Sequence, residues 1–279
     1  MAADIPPPSV GEAFTGVFDR HAAAYRERLE DAMARGEAES RARVLELLTV
    51  RAGERVLDLG CGPGTLTAPL ATAAGPEGLT LGVDLALGML SHARAAAPPW
   101  ARLVRMNMER LGLAGGAFDA VAAGHALAFC ADLPAALAEV RRVLVPGGRL
   151  VASLPARVPG GQAPLERALE GLVPPPPALP ALDGTLVRLS SEAAAKSALQ
   201  EAGFRQVEAT TVPEVSRYRG PEDLVDRAFT WWILAWRLEA LSGQERVRVR
   251  EIALERLRHT VGDGPLELPA ASLVLFARR

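Results

Sequence analysis

At 279 residues the chain exceeds a typical single domain but fits one α/β domain with added pieces. With 49% hydrophobic and 23% charged residues it has material for a substantial core, which excludes extended disorder, and a net charge of −2 gives phosphates no overall attraction, which argues against nucleic acid as partner. Two cysteines, Cys61 and Cys130, no leader-like start and no apolar run near the roughly 18 to 20 residues that span a bilayer lead us to expect a cytoplasmic protein with free thiols and no integral membrane association.

Residues 1–10, with Pro6-Pro7-Pro8, hold too few apolar groups to pack and are expected to form a flexible arm. From Phe14 onward, Phe14, Val17, Phe18, Tyr25 and Leu29 recur at three- and four-residue steps with His21 on the same stripe, which predicts an amphipathic helix. A second helix is expected at about 38–50, buried through Val44, Leu45, Leu47 and Leu48. Strands and helices then alternate. Strands are expected at Arg55 to Leu59, Thr80 to Asp84, Leu103 to Met106, Ala117 to Ala123 and Arg149 to Leu154, with helices at Thr65 to Ala74, Ala86 to Ala97 and Pro134 to Leu144. Such alternation requires right-handed crossovers and a parallel sheet with helices on both faces.

Residues 155–183, rich in proline and glycine, read as a surface insertion with little regular structure. A helix capped by Ser190 or Ser191 and ended by Gly203, a strand Gln206 to Val212, a helical stretch 221–262 and a terminal strand Ser272 to Ala277 follow. Within 224–241 one apolar stripe runs through Leu224, Ala228, Trp231, Ala235 and Leu238 and another through Val225, Phe229, Trp232 and Trp236. One can pack on the domain while the other lines an apolar pocket as a lid or forms a homodimer interface.

The chemistry is carried by VLDLGCGPGTLT, Val56 to Thr67. An apolar strand ends at Asp58-Leu59, and Gly60, Gly62 and Gly64 turn the chain into a helix, so a ligand can approach the main chain at the strand's C-terminal end. Thr65 stands where a dinucleotide fingerprint requires its third glycine, which disfavours a nicotinamide oxidoreductase. Three further blocks follow in order: Leu81-Gly82-Val83-Asp84-Leu85, Met106-Asn107-Met108-Glu109, and Phe118-Asp119-Ala120-Val121 running to Gly124-His125 and Pro146-Gly147-Gly148.

These four blocks, over roughly residues 40–155, resemble class I S-adenosylmethionine-dependent methyltransferases, particularly the small-molecule branch with the ubiquinone and menaquinone methyltransferases. The resemblance implies a Rossmann-like, doubly wound, seven-stranded sheet, mostly parallel with an antiparallel last strand, plus N-terminal helices and a helical lid insertion. It implies a single methyltransferase domain over 11–279, with a core at about 40–155, 186–212 and 266–279 and substrate-cap pieces at 11–35, 155–185 and 213–265. S-adenosylmethionine is the implied cofactor and S-adenosylhomocysteine the product, with no metal. Asp58 is then expected at the methionine amino group, with Gly60, Cys61 and Gly62 under the methionine and ribose. Asp84 is expected at the ribose hydroxyls, Leu85 and Met89 at the adenine faces, Asn107 and Met108 at the adenine edge with Glu109 behind, and Ala123, Gly124 and His125 beside the transferred methyl.

His125 is the expected general base, because an imidazole there can take a proton near neutral pH, and Tyr25 the expected site residue of the N-terminal helix. The expected activity is methyl transfer to an oxygen, nitrogen or carbon of a small, partly apolar acceptor. The alternative keeps the cofactor without the transfer, as a cyclase or binding protein.

Overall fold

The computed structural model describes residues 10–159, 161–175 and 180–279; the expected arm at 1–10 lies outside these but for Val10. Two helices, α1 (Val10–Arg20) and α2 (Ala22–Ala34), break at His21 and precede α3 (Glu39–Leu48). The alternating core runs β1 (Arg55–Leu59), α4 (Thr67–Ala74), β2 (Leu79–Asp84), α5 (Leu87–Ala96), β3 (Arg102–Arg105), β4 (Phe118–Gly124), α6 (Leu133–Val143) and β5 (Leu144–Ala156). Then come α7 (Ala163–Leu169), α8 (Pro180–Arg188), α9 (Glu192–Glu201), β6 (Arg205–Tyr218), α10 (Pro221–Ala228), α11 (Trp232–Glu239), α12 (Gly243–Val261) and β7 (Leu266–Arg278).

The seven strands form one sheet in the order β3-β2-β1-β4-β5-β7-β6. β1 pairs parallel with β2 and β4, and β7 runs antiparallel to both β5 and β6. This is the doubly wound, mostly parallel sheet with an antiparallel last strand that the resemblance implied. The period-2 alternation of side chains divides each strand between two cores. Val56, Ala120 and Ala122 join Val44 and Leu48 of α3 and Leu70 of α4 on one face, while Leu57, Val121 and Ala123 join Leu137 and Val140 of α6 and Leu199 of α9 on the other. Strand order reverses direction between β1 and β4, the place where such sheets open a crevice at their C-terminal ends.

Three expectations are corrected. Residues 155–183 are not poor in regular structure, since α7 and the start of α8 lie there, with Pro164 in the first turn of α7, where a missing N–H is harmless. The strands expected at Gln206 to Val212 and Ser272 to Ala277 are about half the true length, for β6 and β7 pair from Arg205↔Arg278 out to Tyr218↔Leu266. Pro213 sits in that longer ladder on the edge strand, the position in a sheet where proline is tolerated. Residues 224–241 do not form one helix with opposing stripes: Trp231 is extended between α10 and α11, and Leu224 of one stripe and Val225 of the other are buried together.

The outer ends of β6 and β7 carry a second core. Tyr218 and Leu266 pack there with Leu165 and Leu169 of α7, Leu224 and Ala228 of α10, Leu234 and Leu238 of α11, and Leu254 and Leu257 of α12. Segments separated by fifty residues in sequence thus make one cap over the C-terminal side of the sheet. No helix among the described residues is long and apolar enough to cross a membrane.

Candidate active site

The site begins where β1 ends. Gly60 has φ +63, a left-handed conformation costing any other residue about 1–2 kcal/mol, and a Cβ there would lie 2.5 Å from that of Ala126 just past β4. The glycine therefore lets the turn press against the exit of the neighbouring strand. The turn is also tied to β2: the Cys61 N–H donates to the Val83 carbonyl and the Gly62 N–H to Asp84 Oδ2, both at 2.9 Å. Asp84 Oδ1 accepts the Ala86 N–H at 2.9 Å, so this carboxylate is pinned at the mouth of the crevice. Burial raises its pKa while these backbone donors pull it down.

Two adjoining cavities open there. The larger, about 720 Å³, has Gly60 and Gly62 as floor, Asp84, Leu85 and Met89 on the β2 side, and Met106 and Met108 on the β3 side. Gly124, His125 and Phe129 form its β4 wall, and Phe14, Phe18 and Tyr25 of the N-terminal helices close it. Those helices are held down by Asp19, whose Oδ1 accepts the Gly88 N–H of α5 at 2.7 Å, and by aromatic edges: Phe18 meets Phe129 and Tyr25 with ring centroids 5.3 and 5.8 Å apart. Trp236 of α11 packs edge-on against Phe14 at 6.1 Å, so the cap backs the closing helix.

The smaller cavity, about 270 Å³, shares Tyr25, Gly60, Gly62 and Gly124 with the first and adds Cys61, Asp58 and Arg41. Asp58 Oδ2 accepts the Thr67 hydroxyl at 2.6 Å, whereas Oδ1 is buried with no partner. Burial raises the Asp58 pKa to about 7 against the Thr67 hydroxyl, and nearby Asp84 adds to the rise. Arg41, in the first turn of α3, is only 7% exposed, its Nε is buried without a partner, and it makes no ion pair among the described residues. A carboxylate oxygen and a guanidinium nitrogen, Asp58 Oδ1 and Arg41 Nε, each without a partner among the described residues and both from residues lining one small cavity, fit the ammonium and carboxylate of an amino acid. The adjoining cavity, with an acceptor at Asp84 and flat apolar walls, fits a nucleoside.

Of the expected site residues, Tyr25, Asp58, Gly60, Cys61, Gly62, Asp84, Leu85, Met89, Met108, Gly124 and His125 line one or both cavities. Three do not. Asn107 Oδ1 accepts the Glu109 N–H at 2.8 Å, a local turn. Glu109 Oε1 accepts the N–H groups of Ala131 and Asp132, bracing the start of α6. Ala123 points into the core beneath the sheet. His21 also turns away, to Glu239 of α11 at 3.1 Å, beside the Arg20–Glu239 pair.

His125, the expected general base, lines the larger cavity. The residue has φ +57, its N–H donates to the Ser153 carbonyl at 2.9 Å, and its Nε2 lies 3.3 Å from Ser272 Oγ and 3.4 Å from Ser40 Oγ. Burial, with Arg41 adding, lowers its pKa to about 3. A shift in that direction favours the neutral imidazole and weakens it as a base. Arg41, Phe14, Phe18, Met106 and Phe129 are the lining residues that motif reading missed.

Comparison with known proteins bears on this crevice directly, because residues 57–152, which run from within β1 through the turn to within β5, match the family model described as a methyltransferase domain. It is 36% identical over 160 residues to a demethylmenaquinone methyltransferase of Symbiobacterium thermophilum, covering 54% of this chain and 63% of that one. It is 31% identical over 227 residues to a biotin biosynthesis bifunctional protein of Cellvibrio japonicus, covering 80% and 41%. The first curated relatives are spanned over only 31–63% of their length. Among solved structures, a chain in the complex of a Haloferax volcanii methyltransferase with the Trm112 methyltransferase activator superposes with TM-score 0.61 at 20% identity, covering 95% and 96%. The YcgJ protein of Bacillus subtilis gives 0.55 at 18%, covering 86% and 98%. These solved structures share the Rossmann-like fold of the chain.

Proposed function

We propose that the chain binds S-adenosylmethionine across the two cavities and transfers its methyl group to an oxygen, nitrogen or carbon of a small, partly apolar acceptor. The observation that carries this reading is the facing pair of unsatisfied groups, Asp58 Oδ1 and Arg41 Nε, next to a nucleoside-sized cavity. The cofactor supplies a methyl carbon already activated on a sulfonium. The chain's own part is placement. Asp58 accepts the ammonium, Arg41 donates to the carboxylate, Asp84 accepts from the ribose hydroxyls, and Leu85 and Met89 flank the adenine. Phe14, Phe18, Tyr25 and Phe129 exclude water from the remaining space. Orientation of this kind is worth about 7–11 kcal/mol, more than the roughly 10² to 10⁴-fold a general base adds, so a non-basic His125 is no obstacle.

Residues 11–279 act in this reading as one domain whose cap shapes the acceptor site. The net charge of −2 supports a small-molecule acceptor over nucleic acid. Titration calorimetry with S-adenosylhomocysteine tests the binding: 1:1 binding is expected, and no heat would end the proposal. A screen of metabolite extracts with methyl-labelled cofactor identifies the product. A [4+2]-cyclase shares the fold at TM-score 0.51 and 20% identity, so the second reading is a cofactor-bound protein without transfer. Consumption of cofactor during turnover excludes it.

A further inference from the structure

Behind His125 the cavity wall continues as a polar chain drawn from three other elements. Glu214 of β6 accepts the Ser40 N–H of α3 through Oε1 at 2.9 Å and the Ser272 hydroxyl of β7 through Oε2 at 2.8 Å. A serine hydroxyl has one proton and a carboxylate only accepts, so that proton lies between Ser272 and Glu214. Ser272 Oγ thus meets His125 Nε2 as an acceptor, and the proton in the 3.3 Å gap between them belongs to the ring. Ser40 Oγ flanks the same nitrogen at 3.4 Å and can either accept or donate, so the direction is carried by Ser272, whose one proton is committed to Glu214. No hydrogen bond engages Nδ1 among the described residues, and the ring lines the larger cavity.

We propose that Glu214 and Ser272 are positioning residues that hold His125 as the neutral tautomer protonated on Nε2, so that Nδ1 faces the methyl acceptor as a hydrogen-bond acceptor. The acceptor is then an apolar molecule presenting an O–H or N–H at its reacting atom, seated among Phe14, Phe18 and Phe129. The proposal rests on the methyl-transfer reading above. In the transfer the acceptor's lone pair forms the bond to the methyl carbon, the carbon–sulfur bonding pair returns to sulfur, and the O–H or N–H proton is lost to bulk solvent when the methylated product leaves the cavity. Nδ1 orients that proton, and with it the lone pair, without having to remove it. The low basicity of the ring suits this division of labour, since a neutral imidazole keeps the same tautomer across the working range.

The test is nitrogen NMR on the full chain labelled with ¹⁵N in its four histidines, with His125→Gln assigning the His125 signals. The expected spectrum shows a protonated Nε2 and a bare Nδ1 at neutral pH. Ser272→Ala and Glu214→Gln should each shift it toward a mixture of tautomers while S-adenosylhomocysteine still binds. A wild-type ring protonated on Nδ1, or a tautomer unchanged in both variants, overturns the proposal; should the variants fail to fold, the wild-type spectrum alone decides. An O- or N-methyl product from the labelled-cofactor screen supports the acceptor class, and a C-methyl product overturns it. Calorimetry on the same samples keeps the two readings apart: a correct tautomer with no S-adenosylhomocysteine binding sinks methyl transfer alone.

Discussion

Asp58 links cofactor affinity to pH. Its carboxyl is raised from 3.8 to about 7, chiefly by burial, because Oδ1 has lost water and gained nothing in exchange. A shift of about three units corresponds to about 4 kcal/mol. Between these two values the folded chain holds a proton that the unfolded chain has released, so stability falls as pH rises from about 4 and levels off above about 7. A ligand ammonium on Oδ1 reverses the preference and requires the ionised form. At pH 6 only about a tenth of the free protein is ionised at this group, so S-adenosylhomocysteine should bind roughly tenfold more weakly at pH 6 than at pH 8. Asp58→Asn should abolish that dependence and weaken binding at pH 8 by about 10- to 150-fold, the worth of a charge-assisted hydrogen bond of about 1.5–3 kcal/mol. It should also flatten the dependence of stability on pH. Calorimetry at a series of pH values, in two buffers of different ionisation enthalpy, measures affinity and protons released together. A wild-type Kd flat from pH 6 to 8, or an Asp58→Asn Kd equal to wild type at pH 8, would refute the reasoning.

Gly60→Ala should destabilise the fold by roughly 2–5 kcal/mol, from left-handed strain of about 1–2 kcal/mol and overpacking against Ala126 of about 1–3 kcal/mol. Gly53→Ala, with φ +84 and nothing within 4 Å, should cost only the strain, so equal loss in urea unfolding would disprove the close approach. Arg41→Met should weaken S-adenosylhomocysteine by about tenfold or more while leaving thermal stability equal or higher, because it removes a buried guanidinium without a counter-ion; lost stability with intact binding would make Arg41 structural. Burial also raises the Cys61 thiol well above its usual range, so iodoacetamide should label it at neutral pH only after unfolding.

The sheet was legible because its signals are local. Val56 to Leu59 is a buried strand, apolar but for Asp58, that runs into glycines, and Asp84 ends the next strand at the expected place. The misread parts are those decided by distant packing. Pro213 and Glu214 look like the end of a strand until β7 is seen to extend opposite them, and α7 is stabilised by Leu165 and Leu169 meeting α10 and α12 across fifty or more residues of sequence. No period within 155–183 announces that partnership, and its prolines, which serve as helix starts, count locally against any helix.

The same division runs through the site. Asp58, Gly60 and Asp84 are recognisable because a turn, a strand end and a ligand all constrain one short stretch. Ser40 and Arg41 are not, because they sit in an ordinary charged helix and matter only through what α3 faces. Adjacent at its start, they diverge: Ser40 toward His125, where Glu214 and Ser272 converge, and Arg41 into the cavity of Asp58. One helical turn thereby contacts both the wall offered to the acceptor and the end of the cofactor that bears its charges. A shift of α3 would disturb both at once, so the Glu214 bond to the Ser40 N–H couples the outer edge of the sheet to cofactor and acceptor alike. If that coupling holds, Glu214→Gln weakens S-adenosylhomocysteine binding modestly even though Glu214 lines neither cavity, and a Kd identical to wild type confines its role to the histidine.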